Sequence, residues 1–455
     1  MRLRFLASTV PLSLALLAAP AAAQDTTAAR DSLVREIQHL QSSLDSLRAT
    51  VDRQTDRLME LDERTAGGAQ PQPGVAAPAA GADTGKRILQ SGMGIRGKPF
   101  VKRFGAGTSI GGYVSAVFEN NIDAHTSTFD QLRLVPFIYS EITDRLHFGT
   151  EIEFEHAPSV EVENGEAEGA GEIKVEFATL DYRIFESLNV RGGFILVPLG
   201  RFNLLHDDPI NEFTDRPLFN DLIVHSALSQ TGFGFYGTLY PSERSLLSYE
   251  AYVVNGFTSG IITSDGLRLE EGPGFSEVDN NFAKSVVGRV AFSPFLGLEL
   301  GASAETGKYA SADSTFTGDE RMTIWVLDGT WQHGRVDLLG EYGQVHADIP
   351  AALQATGVIG TQSGYYAEGH YHFGHGVLPP KATSVFTGVV RWDHVDLARD
   401  VDGGLSERLT LGLNWRPIGD AVLKTGFQWN WETPQGVTVR GPADHRVLVS
   451  MATYF

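Results

Sequence analysis

The chain contains no cysteine, is only 20% charged over its 455 residues, and has no apolar run long enough to make a membrane helix. Each lack excludes something. Without cysteine there are no disulfides, Fe–S clusters, thiolate zinc sites or cysteine nucleophiles. No stretch beyond the N-terminal region approaches 18 uninterrupted apolar residues, so no helix is expected to cross a bilayer. Basic residues are scarce as well. Lys+Arg number 36 against 56 Asp+Glu, a formal net charge of −20. That is the wrong sign for a protein that neutralises phosphate backbones, and no nucleic-acid partner is expected. What is abundant is glycine, 50 residues, together with 26 Phe, 13 Tyr and 6 Trp. Glycine at about 11% exceeds the usual ~7% and points to many strands and turns. The length excludes a single small domain and fits two or three modules or one large barrel.

The N-terminus reads as an export signal over residues 1–23. Arg2 and Arg4 form a positive region, Phe5 to Leu17 an apolar core, and Ala21-Ala22-Ala23 a small-residue cleavage site before Gln24. The apolar core, about 13 residues, is shorter than the ~20 that a spanning helix needs. Residues 24–65 carry a heptad pattern: Ile37, Leu44, Val51 and Leu58 at a, and Leu33, Leu40, Leu47, Gln54 and Leu61 at d. This predicts an α-helical coiled coil, about 43 Å of rod at 1.5 Å per residue, with an amphipathic helix lying on its own barrel as the other reading. Residues 66–106 begin as an Ala/Gly/Pro-rich tether. They continue into a basic lead-in of Lys86, Arg87, Arg96, Lys98, Lys102 and Arg103.

From 107 to 455 the pattern changes to period-2 alternation. Sixteen segments are expected near 107–119, 130–140, 145–155, 172–183, 188–198, 228–240, 246–256, 281–292, 296–306, 321–331, 335–346, 362–374, 383–396, 406–416, 421–432 and 444–455. Seven tight turns alternate with eight long loops, near 120–129, 156–171, 199–227, 257–280, 307–320, 347–361, 397–405 and 433–443. An even number of roughly ten-residue alternating strands, joined alternately by short and long connections, predicts an all-β, 16-stranded antiparallel transmembrane β-barrel. A soluble sandwich does not require long loops at every second connection. Parity sets the faces. Val447, Val449, Met451 and Phe455 face lipid; so do Leu423, Phe427, Trp429 and Trp431, and Leu409, Leu411, Leu413 and Trp415. Trp415 at the short-turn end and Trp429 and Trp431 at the long-loop end fit two interfacial girdles.

Parity also fills the lumen. The inward basic set is Arg133, Lys174, Arg191, Arg289, Arg391, Arg408, Arg416, Lys424 and Arg446. The inward acidic set is Glu151, Glu153, Glu176, Glu250, Glu299, Glu305, Asp337, Glu341, Glu368 and Asp393.

With its signal segment, coiled coil, sixteen strands and terminal Phe455, the chain resembles a Gram-negative porin. The stretch PLGRFNLLHDDPINEFTDRPLFNDLI (Pro198 to Ile223), after the fifth strand, is similar to the phosphate-selective porin O and P family. The resemblance covers about Gly107 to Phe455. It implies a homotrimer of barrels, each with its own pore, and a third long loop, 199–227, folded inward as the constriction. It also makes the aromatic Phe455 the assembly signal. In that family an arginine ladder and constriction lysines select phosphate. Here the loop carries Arg201 and Arg216 against Asp207, Asp208, Glu212, Asp215 and Asp221. The expected pore therefore has a transverse field, with Asp207, Asp208, Glu212 and Asp215 opposed to Arg408, Arg416, Lys424 and Arg446.

Other motifs have structural readings. Gly232-Phe-Gly234-Phe-Tyr-Gly237 matches a dinucleotide pattern but lies within a strand. His370, His372 and His375 lack a third ligand by spacing, and the glutamates near 161–172 lack calcium-loop spacing. No metal, cofactor or enzymatic activity is expected. Three function classes remain: a diffusion porin for small hydrophilic solutes; a channel specific for phosphate, another oxyanion, sugars or carboxylates; and a tether from outer membrane to cell wall through a periplasmic coiled coil. The expected partners are copies of the chain itself, outer-membrane lipid and lipopolysaccharide, the barrel-assembly machinery and the cell wall.

Overall fold

The computed structural model describes residues 102–104, 107–163, 166–263, 266–273, 278–279 and 281–455. The expected signal segment, coiled coil and tether lie outside the described residues, as do Lys86, Arg87, Arg96 and Lys98. Lys102–Phe104 form a short strand paired with Thr108–Ile110, so pairing begins ahead of the expected start at 107.

Among the described residues, sixteen strands close into one antiparallel barrel. The first eight are β1 (Thr108–Asn121), β2 (Thr126–Glu141), β3 (Leu146–Glu163), β4 (Glu166–Phe185), β5 (Leu188–Leu196), β6 (Ser229–Ser242), β7 (Ser245–Val254) and β8 (Ser285–Phe295). The second eight are β9 (Leu298–Lys308), β10 (Arg321–His333), β11 (Val336–Ala347), β12 (Thr361–Phe373), β13 (Val385–Asp396), β14 (Leu405–Ile418), β15 (Ala421–Thr433) and β16 (Asp444–Tyr454). Each strand pairs with its sequence neighbour, and β16 closes the ring on β1 with Met451 opposite Ala116. Gly232–Gly237 lies inside β6, as its alternation requires.

The distribution of side chains is inverted relative to a water-soluble protein. Charged Glu305 (1% exposed), Arg391 (1%) and Asp393 (0%) are enclosed, while Leu300 (53%) and Met451 (60%) stand on the outer wall. A continuous apolar exterior around a closed ring, with every strand paired on both sides, suits hydrocarbon as solvent and not water. Among the described residues no helix is long and apolar enough to cross a membrane, which says nothing of the strands. Aromatic contacts mark both rims. Trp392 packs with Trp431 and Trp325 with Tyr342 toward the long loops, while Tyr371–Phe373 and Phe373–Phe386 lie toward the short turns.

Three connections differ from expectation. The predicted loop at 120–129 shrinks to four residues between Asn121 and Thr126. The predicted acidic loop at 156–171 is strand, paired up to Glu163 opposite Glu166. Alternation of Val160 and Val162 with glutamates, followed by Asn164-Gly165, is a hairpin signature that length-based reading overrides. At about 3.3 Å per residue these 18- and 20-residue strands outrun the apolar band and project beyond it. Finally, the connection between β12 and β13 spans 374–384 and is no tight turn.

Phe455 sits on the closing seam. Phe455 N–H donates to Gly112 O at 2.9 Å. Its ring edge lies 2.7 Å from where a Cβ on Gly112 would stand, and Val135 O lies at 2.5 Å from that same point. The glycine is required by this close approach. Phe455→Ala is expected to lower the yield of folded barrel at native expression, measured by heat-modifiable gel mobility of membrane fractions. Unchanged yield would remove the seam from assembly.

Candidate functional site: a loop fastened across the lumen

Between β5 and β6 the chain leaves the wall and returns to it through 197–228. The two ends meet, Val197 N–H donating to Leu228 O at 2.9 Å. Asn203 staples them. Its Nδ2 donates to Val197 O (2.7 Å) and Leu228 O (3.1 Å), and its Oδ1 accepts from Leu228 N–H (3.0 Å). With its base closed, the loop turns inward. Its apolar residues have somewhere to go only if the lumen supplies a surface.

The lumen supplies two. Phe219, in the short helix α1 (Leu218–Leu222), packs with Val326, Val345, Tyr366 and Val395 of β10 to β13. The ring enters a socket made by the paired glycines Gly343 and Gly364 of β11 and β12. A Cβ on Gly343 would lie 2.6 Å from the ring, and one on Gly364 3.3 Å. Burying such a ring stabilises the docked loop by about 1.5–3 kcal/mol. Ile210 meets a second cluster, Tyr113, Val135, Phe137, Phe177 and Tyr454, toward the short-turn end of β1, β2, β4 and β16.

Polar fasteners complete the ring. Glu341 of β11 accepts from Phe202 N–H at 2.5 Å and from Asn220 Nδ2 at 3.2 Å. Gly200, with φ +71°, passes so close to Glu341 that a Cβ there would stand 2.8 Å from Oε2. Its N–H donates to Ser303 Oγ at 2.9 Å. Asp393 accepts from Leu218 N–H at 3.0 Å. Glu212 pairs with Arg416 at 2.8 Å and accepts from Asn414 at 2.8 Å. Lys424 donates to the carbonyls of Asp208 (2.7 Å) and Phe213 (2.9 Å). Arg408 pairs with Asp215 at 3.4 Å, and Arg391 donates to Asp215 O at 3.0 Å while stacking on Phe213. Asp208 pairs with Arg133 at 3.1 Å and accepts from Ser115. Tyr454 donates to Asp207 at 2.8 Å, and His206 meets Glu176 at 3.1 Å. Charges so enclosed gain little net stability, because desolvation offsets attraction; they hold the loop in one position.

The structure thus sorts the residues that the sequence proposed for the pore. Arg201, Asp207, Asp208, Glu212, Arg391, Arg416 and Lys424 are buried between loop and wall. All of these but Arg201 fasten the loop through the contacts above, and none presents a free charged lining. Arg446 is not brought to the loop; it pairs on the wall with Glu119 at 3.3 Å and Asp444 at 2.9 Å. Arg133, Asp215, Arg216, Arg408 and Arg446 line an open cavity of about 890 Å³ on the long-loop side. Arg216 lies 3.8 Å from both Glu153 and Glu155. The histidines of β12 have acidic partners on the wall, His370 with Glu368 (3.2 Å) and His372 with Asp337 (2.9 Å).

The cavity is acidic. Its lining has Arg133, Lys174, Arg216, Arg408 and Arg446 against Glu153, Glu155, Glu172, Asp215, Asp221, Glu270, Glu407, Glu432 and Asp444. Burial raises the pKa of Asp221 and Glu270, and Glu407 is paired with Arg440 outside the lining, so the excess in side chains is larger than the excess in charge. His225, also in the lining, adds no charge to it. Burial, with Arg216 and Lys174 nearby, holds its imidazole down at about 4, so it is neutral at pH 7.

Sequence reading missed Asn203, Ser303 and the Phe219 socket, and it placed Glu341 inward without its partners on the loop. Gly343 and Gly364 carried a signal, because glycine at inward positions of regular strands marks close approach of another segment. The identity of that segment is a tertiary fact.

No family model matches the chain. An uncharacterized protein of Aquifex aeolicus (strain VF5) is 34% identical over 248 residues, 52% of this chain and 53% of that protein. The chain thus spans about half the length of the curated relative it matches. Among solved structures, the chain is similar to the outer membrane channel DcaP of Acinetobacter baumannii. That likeness has 13% identity and a TM-score of 0.48, covering 78% of this chain and 100% of that one. It is similar also to an anion-selective porin from Comamonas acidovorans, with 12% identity and a TM-score of 0.49 over 76% and 99% of the two chains. A third is Salmonella typhi OmpF in complex with daunomycin, with 10% identity and a TM-score of 0.48 over 78% and 99%.

Proposed function

We propose that the protein is a passive outer-membrane porin for small hydrophilic solutes, preferring cations, with the loop 197–228 as its constriction. The observation that carries this reading is the closed, inside-out barrel whose charged lumen is crossed by a firmly docked loop. In this reading the short turns face the periplasm, with the expected coiled coil, and the long loops face outward. The expected export signal and homotrimer belong to the same proposal. A phosphate-selective path would need basic side chains free to meet an anion. Here Arg391, Arg416 and Lys424 are committed to loop carbonyls and carboxylates, and the open cavity has an acidic excess. A low-dielectric wall focuses that excess, so cations are concentrated at the entrance.

The test is a reversal potential across a KCl gradient with the full-length protein in planar bilayers. Open channels that favour K⁺ over Cl⁻ are expected. Absence of channels overturns the porin reading, and a Cl⁻ preference overturns the cation assignment.

A further inference from the structure

The acidic cavity does not end at its rim. A second cavity, about 1100 Å³, adjoins it among the long loops, and the two share Ser406, Glu432 and Pro434. Ser406 and Glu432 are register partners on β14 and β15, so the junction lies on the barrel's own edge. The chemistry of the two chambers differs. The outer one is faced by Leu353, Val358, Ile359, Leu397 and Val401, and among the described residues Glu432 is its one charged lining residue. Leu353, Val358 and Leu397 are fixed from behind by the apolar cluster that also holds Phe219. The outer panel is therefore a supported surface and not a loose loop tip.

A solute that meets this entrance finds an apolar wall first, a carboxylate at the junction, and then an 890 Å³ chamber with nine carboxylates to five bases. A small inorganic cation uses the second half of that path and gains nothing from the first. An aromatic or alkyl anion uses the first half and is repelled by the second. We propose that the entrance is a binding subsite for amphipathic organic cations. The apolar body lies on Val358, Leu397 and Val401, and the cationic end is directed past Glu432 into the acidic chamber. Pockets that combine an apolar surface with a few placed charges orient a ligand in this way. The inference rests on the porin reading and names the solute class that reading leaves open.

The experiment is block of KCl current through the full-length protein by three probes added to each side in turn. These are benzyltrimethylammonium, tetramethylammonium and benzenesulfonate. Benzyltrimethylammonium is expected to block from one side only, at lower concentration than tetramethylammonium, and benzenesulfonate not at all. Val401→Ser should remove the advantage of benzyltrimethylammonium over tetramethylammonium. Glu432→Gln should raise the blocking concentration of both cations, by up to about fivefold for an exposed charge contact. Val401 is exposed at the loop rim, away from the loop fasteners and the acidic lining, so KCl conductance itself should persist in Val401→Ser. Equal block by the two cations overturns the apolar half of the proposal. Equal block by benzenesulfonate overturns the electrostatic half. In either case a persisting KCl current leaves the porin reading standing, and its absence fails that reading instead.

Discussion

A barrel lacking residues 201–226 is expected to conduct several-fold more current per channel than the intact protein, with weaker ion preference. The wall should survive the deletion. Its sixteen strands are bonded to each other around a closed ring, and none takes its ladder from the loop. The inward charges survive too, because water entering the widened lumen hydrates Arg391, Arg408, Arg416 and Lys424 once their loop partners are gone. Barrels of 16 to 18 strands are wide enough to enclose an aqueous channel, so the loop and its packing set the narrowest section here. Phe219→Asp is the milder version. It places a carboxylate in the Gly343–Gly364 socket, where Val345 and Tyr366 offer it no cation, and should undock that side of the loop. Single-channel recordings of both variants, with folded barrel verified by gel mobility, make the test. Unchanged conductance and unchanged ion preference in the deletion would place the loop outside the conducting path.

The second large effect is expected at Glu212. Glu212→Ala leaves Arg416 buried with Pro209 O as its nearest remaining loop acceptor, at 2.7 Å. Removing one partner of an enclosed ion pair costs about 3–5 kcal/mol. That cost falls on loop docking, since both strand neighbours of Arg416 keep their ladder bonds. Amide exchange in 205–223 should therefore quicken by about two to four orders of magnitude, with the wall amides unaffected. The double variant Glu212→Leu, Arg416→Met removes both charges at similar volume and should recover most of the protection. Single-variant exchange equal to wild type would mean that the pair does not hold the loop. A double variant as mobile as the single one would mean that the charges are needed for more than each other.

Period-2 alternation is a local property, and most of what depends on it was legible in the sequence, the long hairpin of β3 and β4 excepted. The strands, their order and the face of each side chain follow from neighbours along the chain, as β14 illustrates: Arg408, Thr410, Asn414 and Arg416 turn inward and Leu411 and Leu413 outward. The inward path of 197–228 was legible through family resemblance. The opposition of its acids to a basic wall was expected from the charge pattern, where the chain departs from that family; Glu212 pairs with Arg416 and Asp215 with Arg408. Parity, however, states which face a side chain takes and not what stands opposite it across the lumen. Arg416 and Arg446 are both inward, but one is sealed beneath the loop and the other pairs on the wall near the rim. Their difference lies in height along the barrel and in the route of a loop more than 200 residues away in sequence. The same reason hid the fit of Phe219 against Gly343 and Gly364, and the meeting of an apolar panel with an acidic chamber at Glu432. Those are encounters between segments distant in sequence, set by strand register and by closure of the ring, which only the folded structure decides.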